Sequence, residues 1–350
     1  MALSKDPLSK DSLSDIPTCY ATVSVGTPDH PLDKKLEAIA AAGFQGIELG
    51  FPDLLSFASK KLGKDVGPQD FDVLCNAGLE VKRRCKELGL KVVMLQPFSN
   101  FEGWKQQSEE RKDAFKRAKG WIMIMEAVGT DMLQVGSTDS PIPISREVVA
   151  SDLKELADLL ASHNFRLAYE NWCWSTHAPD WKDVWEIAKK VDRPNFGLCL
   201  DTFQSAGGEW ADPTTKSGLV EGNVKREDLQ KQFQESLKSL SVTIPAEKIY
   251  ILQISDAYKP KEPLDPTPDE NGMMPRARWS MCLRPVPFDG GYLPVADFAK
   301  AVLKTGFRGW FSTEVFDGGP SGQDQEWKDM PGYTKKAMQS HERLLREVAE

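Results

Sequence analysis

The sequence predicts a (β/α)8 barrel, a single domain in which eight parallel strands alternate with helices. Three observations predict this fold class. Amphipathic helical stretches recur along the 350 residues, many of them end at a Gly or an Asn, and a short apolar segment follows each within a few residues. A Gly directly after a helix takes the left-handed conformation at little steric cost, so this order indicates helix ends followed by strands. Eight strands alternating with helices favour a closed parallel barrel.

The eight predicted strands are short continuous apolar runs, and several of them end in polar residues. Such runs are typical of parallel strands whose outer faces are covered by helices. The predicted strands are residues 19–25, 46–50, 91–96, 131–135, 166–171, 196–201, 248–253 and 309–314. An open doubly wound sheet is the alternative fold, and it would need a glycine-rich loop after the first strand. Residues 18–30 contain only one glycine, Gly26.

Two connections in this pattern are long. Residues 202–225 follow the sixth predicted strand, and residues 256–291 follow the seventh. Loops of this length are uncommon unless they serve a function, and both leave the carboxyl ends of strands, where barrel enzymes carry their sites. We therefore expect them to form walls of the site. Residues 1–17 are polar and are predicted to be a flexible N-terminal extension, with the catalytic barrel domain spanning residues 18–350.

Composition and charge narrow the classes of function. The net charge is −8, which argues against a nucleic-acid partner because proteins that bind nucleic acids are usually basic. No run approaches about 18 uninterrupted apolar residues, and the N-terminus lacks the apolar segment of a secretory signal, so we expect no membrane partner. The six cysteines are scattered without a CxxC pair, which favours reduced thiols. A cytoplasmic location is therefore the expectation.

Four successive predicted strands, the fifth to the eighth, end in Glu170, Asp201, Gln253 and Glu314. In a closed barrel these ends meet at one mouth. Three carboxylates converging without a cation would repel one another strongly, so we expect one divalent metal ion among them. Ligands that are all oxygen suit Mg²⁺ or Mn²⁺ better than Co²⁺ or Zn²⁺. Taken singly, Asp201 also fits a helix N-cap, and Glu314 also fits an ion pair with an arginine.

Several segments make the sequence similar to the xylose isomerase-like TIM-barrel superfamily. The most specific segments are residues 169–177 (YENWCWSTH), 193–203 (RPNFGLCLDTF) and 309–316 (GWFSTEVF). Residues 95–99 (LQPFS), 278–284 (RWSMCLR) and 291–295 (GYLPV) also match. Within the superfamily these segments most resemble the fungal 3-dehydroshikimate dehydratases of quinate catabolism. The resemblance extends from about residue 19 to residue 316, which is most of the chain.

The resemblance implies metal-dependent dehydration of 3-dehydroshikimate to protocatechuate, through an enolate and loss of water. It places the metal ligands of the family on the same four strand ends. It also implies that Ser280 and Arg284 bind the carboxylate of a small-molecule substrate, and that Gln96 lines the pocket. An arginine offers a carboxylate a two-pronged hydrogen-bonding edge that a lysine cannot. The alternatives are a surface salt bridge for Arg284 and a loop hydroxyl for Ser280.

The proton-transfer residue departs from the family pattern. Bacterial relatives carry a histidine three residues after the second metal ligand, where this chain has Gln204, which cannot transfer a proton at neutral pH. His177, in the loop after the fifth strand, is one candidate because of the intrinsic pKa of histidine. Glu48, near the end of the second strand, is the other candidate, and its alternative role is an ion pair at the barrel mouth. Trp172 is a candidate surface for the substrate ring.

Two further functions are consistent with the same residues. A sugar or keto-acid isomerase, or a ketose 3-epimerase, would use the same metal site and return a proton to carbon instead of losing hydroxide. Arg284 favours the dehydratase, because an epimerase needs no arginine for a substrate carboxylate. A non-catalytic binding protein would leave the clustered carboxylates unexplained, and an endonuclease would need more than the four histidines present. The resemblance is also compatible with a homo-oligomer.

Overall fold

A closed barrel of eight parallel strands forms the centre of the computed structural model, which describes residues 8–222, 225–323 and 329–349. The barrel strands are β1 Thr18–Ala21, β2 Gly46–Gly50, β3 Lys91–Phe98, β4 Met132–Gly136, β5 Arg166–Glu170, β6 Phe196–Asp201, β7 Ile249–Ile254 and β9 Trp310–Thr313. Each pairs with its neighbour in this order, and β9 closes the barrel on β1. The (β/α)8 barrel predicted from the sequence is confirmed.

The helices surround the barrel and join its strands. They are α1 Lys10–Leu13, α2 Leu32–Ala41, α3 Phe51–Leu62, α4 Phe71–Glu87, α5 Glu109–Val128, α6 Arg146–Ala161, α7 Trp181–Val191, α8 Thr202–Glu209, α9 Arg226–Thr243, α10 Pro275–Cys282, α11 Val295–Lys304 and α12 Met330–Ala349. As the sequence pattern predicted, glycines end helices in the left-handed conformation, for example Gly63 after α3 and Gly129 after α5. In the described part of the chain, no helix combines the length and the apolar character that crossing a membrane requires.

Two apolar regions stabilise the barrel. The larger one lies between the strands and the surrounding helices. The smaller one contains Cys19, Met94, Met132, Ala168, Cys199 and Ile251, one residue from each of six barrel strands. Side chains two residues apart point to the same face of a strand. The residues two positions further along these strands therefore face the barrel interior too, one layer closer to the carboxyl ends.

Both long connections contain regular structure that the sequence did not predict. The prediction of a loop over residues 202–225 is wrong at its start, because α8 begins directly after β6 and Asp201 caps it by accepting a hydrogen bond from the Phe203 amide. The second connection contains α10 and the two-residue strand β8 Leu283–Arg284, which pairs antiparallel with β10 Phe316–Asp317. The first strand is also shorter than predicted, since a 3-10 turn begins at Thr22.

The N-terminal extension packs on the barrel over part of its length. Residues 1–7 of the predicted flexible segment lie outside the described residues. In the remainder, α1 carries Leu13, and both Leu13 and Ile16 are buried in the core between strands and helices. These two side chains therefore pack with the barrel domain, and the flexibility of the extension stays a prediction.

Burial of His341 predicts a loss of stability in mild acid. This α12 residue lies edge-on against Phe311, and burial lowers the pKa of its imidazole from 6.5 to about 4. The unfolded chain binds a proton more readily between these values, so the stabilising effect of a neutral His341 is present above pH 6.5 and lost as the pH falls towards 4.

His341→Leu should remove this dependence. The difference in free energy of unfolding between variant and wild type should shift in favour of the variant by about 3 kcal/mol across that pH range. Urea titrations at a series of pH values measure it. A difference that does not vary with pH would contradict the prediction.

Candidate functional site

Buried polar side chains form a ring at the carboxyl end of the barrel interior, directly above the smaller apolar cluster. Each is at most 7% exposed to solvent. They are Glu48 of β2, Gln96 of β3, Gln134 of β4, Glu170 of β5, Asp201 of β6, Gln253 of β7 and Glu314 just after β9. The ring follows from strand geometry, because five of these residues stand two positions after an apolar residue of the inner cluster.

Three of the four predicted metal ligands converge within this ring. Glu170, Asp201 and Glu314 each offer one carboxylate oxygen, and these oxygens all lie within 4.8 Å of one another. Burial raises the pKa of Glu314 to about 8, with nearby carboxylates adding to the effect and Arg284 opposing it. Burial, followed by the charges of Glu314 and Asp201, raises the pKa of Glu170 well above its usual value. Without a cation these carboxyl groups therefore hold their protons more strongly than usual, and a bound cation would favour their charged forms.

Gln253 lies beside the three carboxylates with its amide nitrogen towards them. Its Nε2 donates to Glu48 Oε2 at 2.9 Å and to Glu314 Oε1 at 3.1 Å, and its Oε1 accepts from the Cys199 thiol at 3.2 Å. Rotating the amide about its last bond exchanges Oε1 and Nε2 without moving the rest of the chain. In that orientation Gln253 would present an oxygen to the cluster, as a metal ligand requires.

The donor set fits a divalent cation. Glu170 Oε1 is buried and makes no hydrogen bond with any described residue. A buried carboxylate oxygen without a partner carries an energetic cost that a coordinated cation would remove. Three carboxylates and one amide oxygen form the all-oxygen set that Mg²⁺ or Mn²⁺ prefers.

Arg284 occupies the edge of the carboxylate cluster and is only 1% exposed. Its Nη2 donates to Asp201 Oδ2 at 2.6 Å and to Glu314 Oε2 at 3.2 Å. The rings of Phe203 and Phe316 lie 4.6 and 5.2 Å from the guanidinium carbon. Both simple alternatives considered for the carboxylates therefore occur in the structure, since Asp201 is a helix N-cap and Glu314 pairs with an arginine.

The second long connection delivers Arg284 to this position. Backbone hydrogen bonds join Asp256 to Pro285 at 2.9 Å and Tyr258 to Leu283 at 2.9 Å, so the two ends of the connection run side by side. Pairing of β8 with β10 sets Arg284 opposite Phe316. Ser280 of α10 also lies beside this arginine, and its hydroxyl oxygen is 3.2 Å from Arg284 Nη1. The connection thus forms a wall of the site, as predicted, and Arg284 is not a surface salt bridge.

Glu48 and Gln96 belong to the same hydrogen-bonded network. Gln96 Nε2 donates to Glu314 Oε1 at 3.0 Å. Glu48 Oε2 accepts from Gln253, while its Oε1 is buried without a hydrogen bond to any described residue. Burial raises the pKa of Glu48 to about 7. Glu48 is thus a carboxyl group at the barrel mouth with a pKa near neutrality, and it forms no ion pair with any described residue.

His177 and Gln204 lie outside this network. The His177 ring contacts the Ile142 carbonyl through Nε2 at 3.0 Å, and no hydrogen bond links it to the carboxylates in the described part of the chain. Gln204 is buried, and its Oε1 accepts from the Cys173 amide at 2.9 Å. At the position of the bacterial histidine, this chain therefore has a residue that holds the loop after β5.

Trp172 covers the carboxyl end of β4. A side chain at Gly136 would meet the Trp172 ring at 2.1 Å, so the indole occupies the space that Gly136 leaves open. Gly136 is the register partner of Glu170 across β4 and β5. Trp174 stacks on Trp172 with ring centroids 5.2 Å apart. The stacked pair lies above the strands that carry Gln134 and Glu170, where an aromatic wall of a pocket would be.

Sequence reasoning missed Gln134. Its Nε2 donates a short hydrogen bond to Glu170 Oε2. The predicted fourth strand ended in an apolar residue, Val135, so the polar residue before it was not considered as a strand end. Alternation along the strand could have found it, because Gln134 follows the inward-facing Met132 by two positions.

Comparison with known proteins agrees with the barrel fold. Residues 36–338 match the family model described as xylose isomerase-like TIM barrel. The chain is 34% identical to the 3-dehydroshikimate dehydratase of Neurospora crassa over 301 residues, which cover 82% of each protein. It is 32% identical to the 3-dehydroshikimate dehydratase of Pseudomonas aeruginosa over 301 residues. That alignment covers 85% of this chain and 38% of the relative, so this chain spans well under half of the bacterial protein.

One solved structure, of the IOLI protein with a bound zinc atom, shares the fold. Its TM-score is 0.63 at 18% identity, over 95% of this chain and 98% of the other.

Loss of Arg284 should destabilise the metal-free protein. Arg284→Gln leaves Asp201 and Glu314 buried beside each other without a cation, which typically costs about 3–5 kcal/mol. Arg343→Gln is a matched control, because Arg343 also lies over a phenylalanine ring, at 4.1 Å, but is 53% exposed. Its effect should stay within about 0.5 kcal/mol. Urea unfolding of chelator-treated protein measures both, and equal small effects would contradict the role of Arg284.

Proposed function

Because the chain belongs to the xylose isomerase-like TIM-barrel family, we propose that it is a metal-dependent 3-dehydroshikimate dehydratase that forms protocatechuate. One observation carries the proposal: the 34% identity to the Neurospora crassa enzyme extends over 82% of both chains. The three buried carboxylates at the mouth of the barrel support it independently, since they provide a site for a cation that such chemistry can use.

Glu170, Asp201, Gln253 and Glu314 would hold one divalent ion. Mg²⁺ or Mn²⁺ fits the oxygen donors best, and Co²⁺ or Zn²⁺ is the alternative, zinc being the atom bound in the IOLI structure. When bound, the ion would polarise the ketone of the substrate and stabilise the negative charge that develops on its oxygen. Three carboxylates, the Arg284 guanidinium and a divalent ion together carry no net charge, so the loaded site avoids uncompensated buried charge.

Glu48 is the better candidate for proton removal. A general base works best with a pKa near the working pH and must reach the proton that it removes. Glu48 satisfies the first condition and has a free oxygen inside the polar ring. His177 is held by a loop carbonyl and lacks a link to the ring. Glu48 would remove a proton from the carbon next to the ketone. The ring hydroxyl would leave with a proton, so that one water molecule is lost.

Arg284, Ser280, Gln96 and Trp172 would bind the substrate. Arg284 Nη1 contacts only the Ser280 hydroxyl among the described residues and has a second N–H to offer. The edge formed by Nη1 and Ser280 Oγ is therefore the part of this pair that suits a substrate carboxylate. The Trp172 ring would pack against the carbocycle, and Gln96 would line the pocket beside Glu314.

The protein would act in the cytoplasm on this small carboxylate, without nucleic acid or membrane as a partner, alone or as a homo-oligomer. All six cysteines are free thiols in the structure, which suits a reducing compartment. The single barrel domain at residues 18–350 would contain the whole site.

Metal dependence and substrate are tested together by following protocatechuate absorbance. Chelator-treated protein should be inactive with 3-dehydroshikimate and should recover activity with Mg²⁺ or Mn²⁺. Glu314→Gln should lower the recovered rate by about 100-fold or more, because it removes one charged ligand. Absence of product with every divalent ion would exclude the dehydratase. Proton exchange on ketose and hydroxypyruvate substrates would then test the isomerase alternative.

The choice between Glu48 and His177 is tested by replacing each with an uncharged residue. Glu48→Gln should lower kcat by about 100- to 10,000-fold with little change in KM, since a general base contributes that much to proton transfer. His177→Gln is the matched comparison and should retain most of the activity. The opposite order of effects would show that the histidine is the base.

A further inference from the structure

Gln134 is a buried polar residue that the proposed chemistry does not yet use. It lies on β4, faces the barrel interior, and is 2% exposed. Its amide nitrogen donates to Glu170 Oε2, and its carbonyl oxygen Oε1 is buried without a hydrogen bond to any described residue. The nitrogen of the amide therefore binds a predicted metal ligand, and its oxygen has no hydrogen-bond partner among the described residues.

Packing alone does not account for a glutamine at this position. Met132 precedes it on the same face of β4, and its register partner on β5 is Ala168. An apolar side chain would continue this surface, whereas a buried carbonyl without a partner costs about 1–3 kcal/mol. The hydrogen bond that Gln134 donates to Glu170 offsets this cost, so contact with this predicted metal ligand is the better explanation for a glutamine here.

Gln134 can fix the orientation of the Glu170 carboxylate through this hydrogen bond. The other two carboxylates of the cluster each have several donors: Asp201 accepts from the Phe203 amide and Arg284, and Glu314 accepts from Gln96, Gln253 and Arg284. Among the described residues, Gln134 is the one side chain that donates to Glu170. By holding Oε2, it leaves Oε1 without a hydrogen bond to a described residue and able to bind a cation.

We propose that Gln134 is a positioning residue that fixes Glu170 in the orientation in which this carboxylate binds the divalent ion. The inference rests on the proposed metal site and adds a residue outside the ligand set to it. Residues that orient metal ligands typically change metal affinity by 10- to 100-fold when they are replaced.

The test measures metal affinity and the stability of the metal-free protein separately. Gln134→Met keeps the volume and removes the donor, and Gln134→Asn keeps an amide but withdraws it from Glu170 by one methylene group. Both variants should bind Mn²⁺ about 10- to 100-fold more weakly by calorimetric titration. The melting temperature of metal-free Gln134→Met should stay close to that of the wild type, because losing the hydrogen bond to Glu170 and removing the unpaired carbonyl have opposite effects. Gln45→Met, an exposed change at the opposite end of the barrel, should leave Mn²⁺ affinity unchanged.

The outcomes distinguish this inference from the metal site itself. If the wild type binds no divalent ion, both the proposed metal site and the proposed role of Gln134 are wrong. If the wild type binds Mn²⁺ and both variants bind it equally well, only the role of Gln134 is overturned. A lower melting temperature of the metal-free Met variant with unchanged Mn²⁺ affinity would also overturn it, because it would show that the glutamine serves packing.

Discussion

Repulsion among Glu170, Asp201 and Glu314 is the constraint to which the surrounding structure responds. One oxygen from each of these three carboxyl groups lies within 4.8 Å of the others, in an interior that is almost closed to solvent. Such a cluster persists only if cations and hydrogen-bond donors offset its charge. The chain supplies Arg284 as a fixed cation and three glutamine amides, those of Gln96, Gln134 and Gln253, as donors. The hydrogen bonds of Arg284 and of these three glutamines therefore all offset the negative charge of the carboxylate cluster.

The barrel meets the requirement by simple periodicity. Alternation along the strands directs every second side chain into the barrel interior. One layer of these side chains is apolar and forms the floor of the site, and the next layer carries the polar groups. Because backbone pairing sets the layers, the barrel itself places the carboxylates at one mouth. The connection that carries Arg284 then covers the cluster, and the short pairing of β8 with β10 fixes its approach.

The sequence was sufficient for the parts that depend on local pattern. The strands and the residues at the ends of β5, β6 and β7 followed from apolar runs that stop at polar residues. Gln134 was not predicted as a site residue because an apolar residue, Val135, follows it in the strand. The position of Arg284 depends on a ribbon between β8 and β10, segments 32 residues apart in the chain, which no local pattern encodes. The hydrogen bond between Glu48 and Gln253 and the contact of His177 with the Ile142 carbonyl are likewise long-range in sequence, so no local pattern predicts them.

Structural and chemical roles coincide at Asp201. One of its oxygens caps α8 through the Phe203 amide, and the other accepts from Arg284 beside the cluster. The start of α8 is thereby fixed to the site, and the same helix start carries Phe203, whose ring lies on the guanidinium of Arg284. Moving the Asp201 carboxylate would shift the helix, the aromatic face and the arginine together. An N-cap and an arginine pair thus hold this carboxylate in place, and both contacts are compatible with the proposed metal site.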